Sequence, residues 1–389
     1  MMLSEEEKSL TQALQQKIEA KIEDRGGQIS FQKYMQMALY DGQFGYYMNG
    51  REKLGAQGDF ITAPMVCPLF SQTFAAVFAE ILPQLGDEAV IIEFGAGNGD
   101  FARDCLSYLD SLNRLPRHYY IIELSPFLRR KQQVLLKTEL PHLYHRLIWL
   151  DKLPENRLDA IVFANEVLDA MPVELFGYQQ GKFISYGVSK NKDEFALVAM
   201  PELSQPLKNA LQHLQQDGVE FRENYVSEVN LWLEPWLSSL KASLNSAVVF
   251  LADYGYQRRL YYSSERSMGT LRGYFRHQTV DDVLINPGLY DITAHVDFTA
   301  VAEAADNSGF ELEGYAPQGA FLMEAGIDQL YTDQCQKIAD PQQKIELTQA
   351  LKKLTLDPQF AEMFKVMTLS WHFEGELALY EKVELSYLL

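Results

Sequence analysis

Ala89-Val-Ile-Ile-Glu-Phe-Gly-Ala-Gly-Asn-Gly-Asp100 carries an apolar run into an acid and then into three glycines at alternate positions. The run reads as a buried parallel strand, and the glycines let the backbone turn sharply beneath a ligand. A helix is predicted to begin near Asn98 or Asp100, so its free N–H groups face whatever sits on Gly95, Gly97 and Gly99. The stretch is the pocket of a nucleotide-type cofactor.

Working outward, strand and helix patterns alternate. Strand 89–94 is followed by a helix near 98–112, strand 118–123 by a helix near 125–138, and strand 146–150 by strand 158–163. This alternation predicts an α/β fold with a parallel sheet covered by helices on both faces. Three short runs, 173–179, 182–188 and 194–199, read as an antiparallel insertion extending to about 245, with helices near 203–216 and 227–243. Strand 247–252, strand 270–275, helix 297–307 and strand 310–315 follow, and a mostly helical tail closes the chain. At the start, Ser4 with Glu7 forms a capping-box pattern for a helix over 4–24 that Gly26-Gly27 ends, and a second helix begins at Ser30. Residues 40–68 are a long Gly- and aromatic-rich segment of the kind that is often functional. An apolar helix at 69–82 leads into the core. The predicted division is an N-terminal helical and lid region at 1–82, a core at 83–325 and a helical extension at 326–389.

The glycine stretch admits two registers. Gly97-x-Gly99-x-x-Ala102, with Glu123 ending the next strand, satisfies a dinucleotide fingerprint and a nicotinamide oxidoreductase. Glu93-x-Gly95-x-Gly97-x-Gly99 is instead the pattern of class I S-adenosylmethionine-dependent methyltransferases. Gly95 follows the strand almost at once, and the acid before the turn repels a pyrophosphate but not a sulfonium-bearing zwitterion. Glu123 then stands where a carboxylate accepts both ribose hydroxyls.

Phe163-Ala-Asn-Glu-Val-Leu-Asp-Ala-Met-Pro172 opens at the same carboxyl edge, where open α/β sheets bind ligands. Asn165, Glu166 and Asp169 place an amide and two carboxylates there, suited to holding a cationic methyl acceptor. The plainer reading makes Asp169 a helix cap and Pro172 a stop. Downstream, His295 and Asp297 form a candidate acid–base pair, although Asp297 caps the predicted helix equally well. No HExxH or Asp/Glu/His spacing supports a metal, and no GxSxG elbow supports a serine hydrolase.

The whole chain has 389 residues, 47% hydrophobic and 22% charged, the balance of a globular protein with a full core. No apolar run approaches the ~20 residues of a membrane helix, and the acidic N-terminus lacks a signal peptide's apolar segment. Cys67, Cys105 and Cys335 form no CxxC pair and suit a reducing compartment, so a cytoplasmic location is expected. The formal net charge of −19 argues against nucleic acid and is compatible with a cationic partner.

Taken together, these segments resemble the MidA-like family of class I methyltransferases, to which the mitochondrial complex I assembly methyltransferase also belongs. The resemblance runs from about Tyr34 to Met323. It rests on Leu39-Tyr-Asp…Phe44-Gly-Tyr-Tyr47, Gly58-Asp-Phe-Ile-Thr-Ala-Pro64, Glu93-Phe-Gly-Ala-Gly-Asn-Gly99 and Glu123-Leu-Ser125. Ala164-Asn-Glu-Val-Leu-Asp-Ala-Met-Pro172, Asp253-Tyr-Gly255 and Asp291-Ile-Thr-Ala-His-Val-Asp-Phe298 complete it. It implies a Rossmann-like sheet, S-adenosyl-L-methionine as donor and, as in the characterised mitochondrial branch, a protein arginine as acceptor. Carried over by position, Gly95, Gly97 and Glu123 contact the cofactor, the Gly58–Pro64 loop with Gly58, Asp59 and Thr62 closes over it, and Asn165 and Glu166 face the acceptor. Where the family usually has an acid after the Pro64 position this chain has Met65, and the later segment reads Phe70-Ser-Gln72. A small-molecule methyltransferase and a cofactor-binding assembly factor are the competing functional readings; a homodimer is the candidate oligomer.

Overall fold

A computed structural model of the chain describes residues 3–51, 53, 62–192 and 194–389. The residues group into two compact units that interleave along the sequence. One comprises Met1–Phe60, Leu168–Pro235 and Tyr256–Asp297; the other comprises Ile61–Val167, Trp236–Gly255 and Phe298–Leu389. The linear division at 82 and 325 follows composition, whereas this grouping follows packing, which twice joins segments far apart in sequence.

The second unit is built on one sheet. Its strands, numbered within the sheet, are β1 Val90–Phe94, β2 Tyr119–Ile122, β3 Leu147–Leu150, β4 Leu158–Asn165, β5 Leu244–Tyr256, β6 Glu311–Pro317 and β7 Phe364–Trp371. They lie in the order β3-β2-β1-β4-β5-β7-β6. The first five are parallel to one another, and β7 runs antiparallel to both β5 and β6. β1 is buried along its whole length, which is why it reads as an unbroken apolar run rather than an alternation. Glu93 and Phe163 are register partners and so share one face. On that face Phe163 stacks on Phe101 at 3.9 Å and meets Phe74 and Phe78 of helix Pro68–Leu85. Phe94, one residue on, points to the opposite face and meets Trp236 at 5.3 Å. Helices therefore cover both faces.

The first unit carries an antiparallel sheet. Gln28–Ser30, Lys182–Asn191, Glu174–Gln179 and Tyr225–Val229 pair in that order, with Glu194–Ala199 on the second of them. Ser4 and Glu7 form the capping box of helix Glu5–Asp24, and Ser30 caps helix Phe31–Tyr40.

Three expectations are corrected. The helix drawn from 227 to 243 is only Leu233–Ala242, because Tyr225–Val229 is a strand, its β-prone residues completing a sheet whose edge lies far off in sequence. The helical tail holds for Ile327–Lys337 and Pro341–Leu356, but Phe364–Trp371 is an inner strand of the sheet. Its Phe, Val, Thr and Trp residues favour extended backbone, and its place between β5 and β6 exists only in three dimensions. Finally, the segment at 40–68, read as irregular, contains the short helix Ala63–Val66, which Thr62 precedes without a side-chain capping bond.

Candidate active site

Four chain segments end at the carboxyl edge of β1, β2, β4 and β5. Gly95, Gly97 and Gly99 have φ of 62°, 53° and 93°, so the alternating glycines each occupy the left-handed region. Non-glycine residues enter it at a cost, so the three fix a turn that other residues would strain. The Gly95 N–H donates to the Ile122 carbonyl at 3.0 Å, tying the turn to the end of β2. Helix Asp100–Ser111 starts immediately after Gly99, its N-terminus directed at the turn.

Glu93 is buried just before the turn and accepts a hydrogen bond from the Tyr119 hydroxyl at 2.8 Å. Burial raises its pKa to about 8; the Tyr119 hydrogen bond opposes this, and the nearby charges of Glu123 and Asp100 add to it. Glu123, also buried, ends β2. Its Oε1 accepts from the Ser125 N–H at 2.7 Å and its Oε2 from Gln132 Nε2 at 3.0 Å. Burial pushes its pKa up, while those two hydrogen bonds favour the ionised form. Each carboxylate oxygen retains lone-pair capacity for a further donor. Glu123 and Asp100 put further carboxyl groups at this edge, and when ionised they disfavour a pyrophosphate and suit a ligand carrying positive charge.

On the other side of β1, Asn165 ends β4 in register with Ala252 of β5. Glu166 follows with φ of 54°, an uncommon conformation for a residue with a Cβ, held by its N–H donating to the Ala252 carbonyl at 2.9 Å. Asn165 Nδ2 donates to Glu166 Oε1 at 3.1 Å, and among the described residues the buried Asn165 Oδ1 has no partner. The edge thus presents acceptor oxygens, one of them an amide oxygen awaiting a donor. Asp253, buried at the end of β5, accepts from the Tyr254 N–H at 2.9 Å.

The structure brings Glu93, Gly95, Gly97, Gly99, Glu123, Asn165 and Glu166 to one sheet edge. Asp169 and His295 lie in the other compact unit, where the Ala294 N–H donates to the Asp169 carbonyl at 3.0 Å. Asp169 caps no helix, since residues 168–171 make a turn. The His295 N–H donates to Thr270 Oγ1 at 2.9 Å, and that hydroxyl donates to the buried Glu228 at 2.6 Å. Asp297 accepts from Arg258 Nε at 3.4 Å and directly precedes helix Phe298–Ser308. Gly58 and Asp59 lie outside the described residues, as do residues 58–61 of the loop expected to close over the cofactor.

Sequence reasoning missed Gln132. It is fully buried and contacts both Glu123 and the glycine turn. The signal was available: Leu128, Gln132 and Leu136 occupy one helical stripe, and a glutamine in an apolar stripe requires buried partners.

Residues 73–316 match the family described as "Putative S-adenosyl-L-methionine-dependent methyltransferase". A superfamily member from Burkholderia thailandensis, crystallised bound to S-adenosyl-homocysteine, is 35% identical, with a TM-score of 0.92 and 100% of both chains covered. The protein arginine methyltransferase NDUFAF7 homolog, mitochondrial, of Drosophila melanogaster is 27% identical over 391 residues, covering 90% of this chain and 83% of that one. Its Homo sapiens counterpart, protein arginine methyltransferase NDUFAF7, mitochondrial, is 25% identical over 377 residues, covering 89% and 81%.

Proposed function

The chain belongs to the S-adenosyl-L-methionine-dependent methyltransferase family that it matches over residues 73–316, and from that premise we propose that its methyl acceptor is an arginine side chain of a protein. Methyl transfer from S-adenosyl-L-methionine is the activity, and the class I methyltransferase fold carries it. Relatives named as protein arginine methyltransferases support the acceptor class.

The donor site fits its cofactor on the structure's own terms: a glycine turn without Cβ atoms, a buried carboxylate at the next strand end, and an acidic surround. When bound, the cofactor supplies an electrophilic methyl group on a sulfonium. In our reading, Gly95, Gly97 and Gly99 let the backbone come close to it, and Glu123 accepts its ribose hydroxyls. Glu93 lends the edge negative charge when ionised and keeps Tyr119 fixed.

One observation carries the acceptor reading: the constrained Glu166 carboxylate beside the unpartnered Asn165 Oδ1. Both offer acceptor oxygens, and a guanidinium offers five N–H donors and no acceptor. Arginine is protonated at neutral pH, so its nitrogen must lose a proton as the new N–C bond forms. Glu166 holds the cation, and Asn165 turns one nitrogen toward the methyl group. The proton released leaves for solvent or a carboxylate.

Glu166→Gln tests the assignment, because it keeps shape and one acceptor but removes the charge. Turnover is expected to fall about 100-fold while the dissociation constant for S-adenosyl-homocysteine stays within about threefold. Equal loss of turnover and cofactor affinity would refute the role. Mass spectrometry of cell proteins and metabolites after incubation with isotope-labelled cofactor reads the acceptor class directly. Label on small molecules, with none on arginine, overturns the proposal.

A further inference from the structure

Gln132 sits in helix Pro126–Glu139 with no exposed surface. A buried primary amide must satisfy both its ends, and here each end has a defined partner. Gln132 Oε1 accepts from Trp149 Nε1 at 2.9 Å. The indole N–H can only donate, so it fixes which end of the amide is oxygen. The amino group is thereby aimed at the sheet edge. There Nε2 donates to the Gly97 carbonyl at 2.9 Å and to Glu123 Oε2 at 3.0 Å.

Both acceptors on that side are oxygens, so the reversed amide would set oxygen against oxygen twice. The preceding residue reinforces the grip, as Lys131 Nζ donates to Asn98 Oδ1 at 3.0 Å. Two consecutive residues of one helix therefore hold two consecutive residues of the glycine turn. Gly99 completes the fit: a Cβ there would stand 3.4 Å from Gln132 Cγ.

We propose that Gln132 is a positioning residue of the S-adenosyl-L-methionine site, locking the glycine turn to the carboxylate of Glu123, with Trp149 setting the sense of its amide. The proposal rests on the reading that Gly97 and Glu123 hold the cofactor. Its physical content is preorganisation. Without the bridge, the turn and the carboxylate must be ordered by the ligand itself, which weakens binding without altering the reacting groups.

Three variants of the full chain, titrated calorimetrically with S-adenosyl-homocysteine, test it. Gln132→Met removes both donors at similar volume, and it is expected to weaken binding about tenfold while kcat at saturating cofactor stays within about threefold of wild type. Gln132→Glu places a second carboxyl group against Glu123. The two acids then share one proton, and the protonated form restores a single donor. Affinity in this variant is expected to improve as pH falls from 8 to 6, by up to tenfold per pH unit relative to wild type, a slope that Gln132→Met lacks. A purely structural defect does not generate that slope.

Trp149→Phe leaves the bridge in place but frees the amide, and a loss of about two- to threefold is expected. If Gln132→Met does not fold, the pH slope of Gln132→Glu decides. Dissociation constants within twofold of wild type for both Gln132 variants, at pH 6 and pH 8, overturn the proposal. A Glu123→Ala control separates the two ideas. If it binds as wild type does, the cofactor reading of Glu123 is what fails. If it binds weakly while the Gln132 variants do not, only the positioning role falls.

Discussion

Glu93→Gln isolates a strongly perturbed buried acid at the sheet edge. Folded Glu93 has a pKa of about 8, against 4.5 for a free glutamate, and burial is the main cause. The folded protein therefore keeps a proton that the unfolded chain releases. Stability is fully present below pH 4.5, falls as pH rises toward 8, and falls no further above that. Between pH 5 and pH 8 the loss from this one group is on the order of 3–4 kcal/mol. The glutamine retains a carbonyl oxygen to accept from the Tyr119 hydroxyl, now 2.8 Å from Glu93 Oε2, and it cannot titrate. Urea unfolding at pH 5, 6, 7 and 8 should show the variant gaining on wild type as pH rises, with the difference growing by roughly 3–4 kcal/mol across the series. Glu228, a raised acid that is not among the groups shifting Glu93, titrates in both proteins and cancels in the difference. A difference constant to within about 0.5 kcal/mol would show that Glu93 is ionised in the folded protein and refute the argument.

Gly99→Ala should cost about 1–2 kcal/mol in a urea melt, because Gly99 has φ of 93°. The same variant should bind S-adenosyl-homocysteine less tightly, since relief of the strained φ would shift the glycine turn. Phe163→Ala removes the ring stacked on Phe101 and should cost about 3–5 kcal/mol by the same assay, leaving a cavity under the sheet edge. Gly269→Ala in the other unit puts a Cβ against Glu228 Oε2 at φ of 67°, and its melting temperature should drop further than that of Gly99→Ala. Lys365 is held at a pKa of about 8 mainly by burial, so the folded state binds fewer protons than the unfolded one and wild-type stability should rise between pH 8 and pH 10; Lys365→Met should flatten that rise in chemical denaturation.

The order of the first strands and the glycine turn were legible because they depend on local rules. An apolar run, an acid and glycines at alternate positions define β1 and its turn within twelve residues. The next two strands, β2 and β3, each follow a helix whose period is visible. The capping box at Ser4 and Glu7 is equally local. Where pairing partners are distant, reading by sequence failed. Tyr225–Val229 reads as helix on its own because the strand it pairs with, Glu174–Gln179, lies about fifty residues away. Phe364–Trp371 reads as part of a helical tail because its neighbours β5 and β6 offer no trace of themselves in its own residues.

The quoted signature segments acquire a physical reason in the same way. Tyr40 donates to the Ala170 carbonyl at 2.9 Å, Tyr47 donates to Asp291 Oδ1 at 2.7 Å, and the two rings stack at 5.4 Å. Segments 39–47, 168–172 and 291–297 thus converge within one unit, and their common role as a packed polar cluster is invisible in any one of them.

The sequence by itself determined the turn at the sheet edge: Glu93, the three glycines and Glu123 follow from the strand–turn–helix pattern, in which neighbours in space are near neighbours along the chain. Only the tertiary structure decided how that turn is held. The bridge from Gln132 to Gly97 and Glu123, the strain at Glu166 and the separation of Asp169 and His295 into another unit all depend on contacts between distant segments. Hydrophobic periodicity records which face of an element is buried, but carries no record of what it is buried against.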